Sequence, residues 1–265
     1  MTDGSPLARC VGHINLHVSD WRASLAFYRD GCGLREVRRN DEAGAVFLTS
    51  GFNHHEVEFF QRPRAAFNHL GVEMVSEMGL VSVWNRLRSG GIAIERSIDS
   101  HGMARSIFLR DPDGQGLHLI ANLKSDWETY WKSAPPMDSD PWDPATGPYS
   151  SQSYFAHPMA IPPSHTAQCQ ATRLGGATLN VENLGETVRF YRDLIGFRVI
   201  RTRPGEAILT GVDADCELTI VSRDDVPRGL ACFTLNTCDE RIECERPLRL
   251  VDPDGFVVVF RRERP

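Results

Sequence analysis

The sequence predicts an α+β protein of two homologous halves, each opening with a strand, a helix and a run of short strands. Three observations carry that expectation. Residues 12 to 37, GHINLHVSDWRASLAFYRDGCGLREV, align without a gap with residues 175 to 200, GGATLNVENLGETVRFYRDLIGFRVI. Phe27-Tyr28-Arg29-Asp30 then falls on Phe190-Tyr191-Arg192-Asp193, and Gly33 on Gly196. The turn sequence Asp111-Pro112-Asp113-Gly114 returns as Asp252-Pro253-Asp254-Gly255 at an offset of 141, whereas the first alignment runs at 163, so the second half is shorter by 22 residues.

The elements follow in order. Residues 12 to 18 alternate, with Ile14, Leu16 and Val18 on one face and His13, Asn15 and His17 on the other, as a half-buried strand requires. A helix over 20 to 30 comes next, with Asp20 as N-cap and Trp21, Leu25 and Tyr28 along one face. Short strands fit at 35 to 39, 44 to 49 and 55 to 60. A second strand-helix-strands unit covers 67 to 122, and its helix is SEMGLVSVWNRLRSGG, where Leu80, Val83, Trp84 and Leu87 keep helical spacing before a Gly-Gly stop. Because GLACFTLNT still resembles FNHLGVEMV at the 163 offset, this helix is the piece the second half is expected to lack. After residue 122, SDWETYW puts Trp127, Tyr130 and Trp131 at helical spacing behind a Ser125 or Asp126 cap. A lid over an aromatic substrate and a helix packed on the fold's edge are both open readings. Residues 133–170, rich in Pro and Ser, read as an irregular connector that packs on the surface through its aromatic residues. The expected division is thus a first domain at 1–132, the connector, and a shortened second domain at 171–265.

A formal charge of −6 supplies no basic field for extended nucleic acid or an anionic membrane, which leaves a small molecule as the default partner. No apolar run approaches the roughly 18 to 20 residues of a membrane span. The opening MTDGSPLARCVGH lacks the charged-then-apolar pattern of a secretion signal, so a cytoplasmic location is expected. Seven cysteines without a Cys-x-x-Cys pair read as reduced thiols, against a disulfide framework or structural zinc.

Chemistry concentrates on the polar faces of the first half. His13 lies on the first strand, His69 on the equivalent strand of the second unit with Gly71 and Glu73 in phase, and His118 on the strand after the DPDG turn. If each unit curves around one cup, alternation lets all three imidazoles share its concave side and ligate a divalent transition metal with positions left for substrate. Three unrelated core histidines are the alternative at equal weight. His55, beside His54 and in phase with Val57 and Phe59, suits a proton shuttle near a metal, because imidazole titrates near working pH. An exposed or turn-forming pair fits as well. His17, in phase with His13, could line the cup.

With these residues in place, the sequence resembles the vicinal oxygen chelate superfamily, and within it the two-domain extradiol dioxygenases of the catechol 2,3-dioxygenase type. The motifs that carry the likeness are GHINLHVSDWRASLAFYRDGCGL, NHHEVEFF, FNHLGVEM and IDSHGMARSIFLRDPDGQGLHL. The resemblance implies paired βαβββ modules forming half-open barrels, Fe(II) (or Mn(II)) as cofactor, and an aromatic diol and O2 as partners. By position it implies His13 and His69 as two metal ligands, His55 as acid/base, and a substrate entrance near His101 and His54. Two places depart from the pattern: His118 stands where the family has a glutamate ligand, and Phe108 where it has a substrate-facing tyrosine. Imidazole in place of carboxylate leaves the metal one unit more positive. In the second half the three ligand positions are Gly176, Cys232 and Val259, which implies a metal-free module that covers the first, shapes an entrance or supports a homo-oligomer. The leading expectation is cleavage of a catechol-like ring by O2. A metal-dependent isomerase or lyase, with Glu73 as the nearest base, and a non-catalytic sequestration protein are the rivals.

Overall fold

The computed structural model describes residues 6–133, 135, 137–155, 167–243 and 246–263. The first half runs β1 (Ala8–Val18), α1 (Trp21–Ala26), β2 (Arg35–Asn40), β3 (Ala45–Thr49), β4 (Val57–Gln61), β5 (Ala66–Met74), α2 (Glu77–Ser89), β6 (Ile94–Asp99), β7 (Ala104–Arg110), β8 (Gly116–Asn122) and α3 (Trp127–Lys132). A short β9 (Asp140–Pro141) then lies inside the expected connector and pairs with β6. The second half runs β10 (Arg173–Asn180), α4 (Leu184–Arg189), β11 (Arg198–Arg203), β12 (Glu206–Thr210), β13 (Glu217–Val221), β14 (Gly229–Thr237), β15 (Leu248–Val251) and β16 (Val257–Arg262).

Each half is a curved, open sheet made of βαβββ-type modules. The first has strand order β2-β3-β4-β1-β5-β8-β7-β6-β9, the second β11-β12-β13-β10-β14-β16-β15. In both, the opening strand of one module pairs antiparallel with the opening strand of the next, and each module's last strand returns parallel to its first. Between β14 and β15 no helix occurs among the described residues, where the first half carries α2, so the length deficit falls on that element. Residues 156–166 of the connector, with Cys244, lie outside the described residues.

Local chemistry explains the helices. Asp20 accepts from the backbone N–H of Arg22 and Ala23, and Ser76 caps α2 through Gly79. The FYRD repeats do not prolong the α-helix as their spacing suggests. Both become π-helical turns, Phe27–Gly31 and Phe190–Ile195, closed by wide backbone bonds such as Cys32 N–H to the Phe27 carbonyl (3.2 Å). Gly196 ends the second turn at φ 94°, a conformation that glycine adopts without a Cβ penalty.

One apolar core runs through both halves, from Ile14, Leu16 and Phe59 to Leu218, Phe233 and Phe260. The repeats latch it crosswise. Tyr28 of the first FYRD donates to Asp252 of the second DPDG turn (2.9 Å), and Tyr191 of the second FYRD donates to Asp111 of the first (3.1 Å). All four are buried. The connector also packs down: Gln168, Cys169 and Ala171 donate backbone bonds to Asp30, Gly31 and Cys32, and Ser150 donates to Glu77. No helix of the described residues is long and apolar enough to cross a membrane.

Candidate metal centre

Sheet register assembles the centre in two adjacent rows. In one, His13 of β1 stands opposite Gly71 of β5, which stands opposite His118 of β8. In the other, Glu58 of β4, Asn15 of β1, His69 of β5 and Gly116 of β8 follow one another. Partners across a ladder face the same side, so both rows project onto the concave face. Glycine is needed at position 71. A Cβ there would lie 2.2 Å from the His13 ring.

The side chains converge. His13 Nε2 is 3.2 Å from His69 Nε2 and 3.3 Å from His118 Nδ1. A carboxylate enters the same space: Glu58 Oε1 is 3.2 Å from His69 Nε2 and 3.6 Å from His13 Nε2, while Oε2 is 3.7 Å from His55 Nε2. Asn15 Nδ2 steadies it at 2.5 Å. Burial, then the neighbouring imidazoles, holds His13 and His118 well below the usual histidine pKa, which favours the neutral ring with one nitrogen lone pair free. Burial by itself would raise Glu58, but the hydrogen bond with His69 and the imidazoles of His55 and His13 hold it well below the usual carboxylate range. The cluster thus sets one carboxylate among imidazoles, and no Lys or Arg pairs with Glu58 among the described residues.

This donor set fits a divalent transition metal. Donors bonded at about 2.1 Å to one ion stand roughly 3.0 to 3.4 Å apart, the spacing seen between the imidazole nitrogens. His13 Nε2 has a single site for a proton or a bond, yet His69, His118 and Glu58 all approach it, and His118 Nε2 and His55 Nε2 are buried without any hydrogen bond. A cation resolves that crowding. Two overlapping donor sets could hold it, His13 with His69 and His118, and His13 with His55 and Glu58.

Residues 11–119 match the family model of the Glyoxalase/Bleomycin resistance protein/Dioxygenase superfamily. The match lies within the N-terminal half of the chain. The chain is 23% identical over 212 residues, 75% of its length, to the catechol-2,3-dioxygenase of Bacillus subtilis (strain 168), covering 69% of that protein. Its fold is similar to the Mn(II)-bound glyoxalase from Novosphingobium aromaticivorans (TM-score 0.73, 14% identity, 97% of this chain and 83% of that one). It is also similar to homoprotocatechuate 2,3-dioxygenase from Arthrobacter globiformis (TM-score 0.70, 16% identity, 98% and 81%).

Beside the candidate metal centre, the N-terminal half holds a cavity of about 150 Å³, walled by Phe47, His54, His55, Trp127, Tyr130 and Trp131, with Glu58 and His118 at its inner end. That is the size that admits one benzene-sized ring. His54 stacks on Trp127, with ring centroids 4.0 Å apart and planes 15° from parallel. Both are fixed through Glu73, which is buried with its carboxylate bonded by Arg9 (2.8 Å) and Asn122 (2.7 Å). Asn122 accepts from Trp127 Nε1 (3.2 Å), and Asn53, which approaches the other Glu73 oxygen, accepts from the His54 N–H (2.8 Å). Glu73 thus faces this network and not the metal centre. α3 is both a packed helix, through buried Trp127, and a wall of the cavity.

Not every expected position joins the cavity. Phe108 lies behind His118, stacked at 4.1 Å and 13°, with the Arg96 guanidinium 3.9 Å from the centre of its ring. His101 sits in a turn at φ 51° and bonds Asp138, which does line the cavity. His17 is partly buried, outside the cluster. His55 reaches the centre, 4.6 Å from the His13 ring, by a route other than strand phase. The strand begins only at Val57, whose side chain and that of Phe59 are in the core, and the bend before it turns His55 inward.

That same phase hid Glu58. A strand read from residue 55 makes 55, 57 and 59 the functional face. Register puts 58 there, opposite Asn15 and in line with His69. The signal was available in NHHEVEFF, where Glu58 is the one charged residue between apolar Val57 and Phe59.

Proposed function

We propose that this protein is a metal-dependent dioxygenase that cleaves the ring of an aromatic diol beside its hydroxyl groups, with Fe(II) as cofactor and Mn(II) as the alternative ion. The observation that carries the reading is the meeting of a three-imidazole, one-carboxylate cluster with an aromatic-walled cavity of single-ring size. The dioxygenase relatives support the reaction class. His13, His69 and His118 would hold the Fe(II), which would supply Lewis acidity toward the diol and redox access to O2.

The protein's own groups supply the rest. Phe47, Trp127 and Trp131 orient a flat ring and exclude water from the inner end of the cavity. His55 Nε2, buried and without a hydrogen-bond partner, is placed to take a diol proton and return it, while His55 Nδ1, 2.6 Å from His54 Nδ1, fixes the ring's orientation. Glu58 offsets the extra positive charge that a third imidazole would leave at the metal.

One observation favours a second reading. Glu58 sets a carboxylate beside the imidazoles, and such a group serves as the base of a metal-dependent isomerase or lyase better than the distant Glu73 does. Oxygen uptake separates the two. Protein purified anaerobically and loaded with Fe(II) is expected to consume one O2 per substituted catechol and yield a coloured ring-fission product. His55→Ala should retain the metal and slow turnover by about 10²-fold or more. Stoichiometric catechol binding without O2 consumption would reject ring cleavage.

A further inference from the structure

The cavity has a cation at its outer end. Arg38 and Arg39 are neighbours on β2 and face opposite sides of the sheet. Outward-facing Arg39 is matched by Glu36 (2.9 Å) and Asp41 (2.6 Å). Arg38 lines the cavity instead, where its Nη2 donates to the Pro135 carbonyl and its guanidinium stands 5.3 Å from the Trp131 ring centre. Among the described residues no carboxylate pairs with it. Of the two acids that line the cavity, Glu58 belongs to the histidine cluster and Asp138 lies 3.4 Å from His101. Burial draws the Arg38 pKa down and only the Tyr130 phenol draws it back, in keeping with a partly desolvated cation that lacks a counter-charge.

A guanidinium presents a planar fork of five N–H donors, stays protonated under all ordinary conditions, and matches a carboxylate in two parallel bonds. Here most of that fork is unspent. The inner end, by contrast, is set for hydroxyl groups, through Glu58, His55 and His118. The cavity is therefore polar at both ends and aromatic between them, which describes a ligand with a diol at one end, a flat ring, and an anion at the other.

We infer that Arg38 is a specificity-determining residue, and that the substrate is an aromatic diol whose ring bears a carboxylate side chain. The identity of the diol end rests on the ring-cleavage reading; the contact at the carboxylate end does not. The test separates them by measuring binding without O2. Metal-loaded protein is titrated anaerobically with dihydrocaffeate, its primary amide and dopamine, which carry anionic, neutral and cationic side chains on one ring, and the emission of Trp127 and Trp131 is followed. Dihydrocaffeate should bind about tenfold or more tighter than the amide. Arg38→Gln should collapse that ratio to about one, and Arg38→Lys should restore part of it. An unchanged ratio in Arg38→Gln, or a preference for dopamine that would make Asp138 the reader of the side chain, overturns the inference. Arg38-dependent binding with no O2 uptake on aeration would keep the inference and reject ring cleavage. Equal affinity for all three ligands, with O2 uptake on aeration, would do the reverse.

Discussion

The two halves of this molecule share topology, repeated motifs and a common core, yet among the described residues one gathers candidate metal donors and the other gathers none. At the register positions where the first cup carries His13, Glu58, His69 and His118, the second carries Gly176, Thr219, Cys232 and Val259. The packing beneath is inverted as well. His13 faces Gly71 in the first half, whereas Gly176 faces Thr234 in the second, so the bulky and the small residue have changed sides of the same rung. Gly176 has φ 134°, and a Cβ on it would lie 1.9 Å from the Glu217 carbonyl oxygen, which bars any side chain from that corner. Fold and chemistry are thus separable here. Buried alternation and the crossed Tyr–Asp latches keep the scaffold in both halves, and concave-face residues alone decide whether it holds an ion.

The contrast between the halves breaks most visibly if the donors are exchanged. His69→Ala should lower metal affinity by at least about 100-fold, beyond the 10- to 100-fold typical of losing an outer partner. Cys232→His in the second half should create no site, because Gly176 and Val259 offer no ligand atoms beside it. Metal content after dialysis against a weak chelator measures both. A second equivalent of metal in Cys232→His, or full occupancy in His69→Ala, would show that register does not define the centre.

Legibility in the sequence followed physical type. Strand alternation around Ile14, Leu16 and Val18, the α2 periodicity and the repeated turns are enforced by burial, and burial writes a period into the sequence. The three imidazoles on β1, β5 and β8 were legible for the same reason, since each sits within a regular strand. Glu58 and the route of His55 were not, because they depend on the residue at which β4 starts, and the bend over 51–56 moved that start by two positions. Nor could strand phase foresee that Phe108 would stack behind His118, outside the cavity, or that Glu73 would brace the His54–Trp127 wall. Those facts arise from side-chain partners contributed by distant elements.

A smaller perturbation sharpens the packing inversion. Gly71→Ala changes no donor, but its methyl would meet the His13 ring at 2.2 Å, and a rigid central strand pair cannot open to admit it. Overpacking at such a point should cost about 3 kcal/mol of stability. Metal affinity should fall with it, since His13 must rotate away. Thr234→Ala at the matching rung of the second half should leave metal affinity unchanged. Denaturant unfolding and metal titration of the two variants test the contrast, which fails if Gly71→Ala binds metal like the parent.

The last effect, spread over about two pH units, concerns the latches, where the halves are most alike. Asp111 is pushed up to about 6, first by burial, against the bonds it accepts from the Gln115 N–H (2.9 Å) and the Tyr191 hydroxyl (3.1 Å). In the unfolded chain an aspartate titrates near 3.9. Between about pH 4 and 6 the folded protein therefore holds a proton that the unfolded chain has released. The stability contributed by this group is fully present below about pH 4, falls as the pH rises, and is gone above about pH 6. The amount is about 3 kcal/mol, since each tenfold gain in proton affinity on folding is worth roughly 1.4 kcal/mol and the shift is about two units. Asp111→Asn removes the titration while keeping a side-chain oxygen for the turn N–H groups. Its stability relative to the parent should rise by that amount from pH 4 to 6 and stay level above. Asp252, raised in the same sense by burial and bonded to Tyr28, should give a change of the same sign when replaced by Asn. A difference between parent and variant that does not vary with pH in either half would mean that the buried latches fold already ionised.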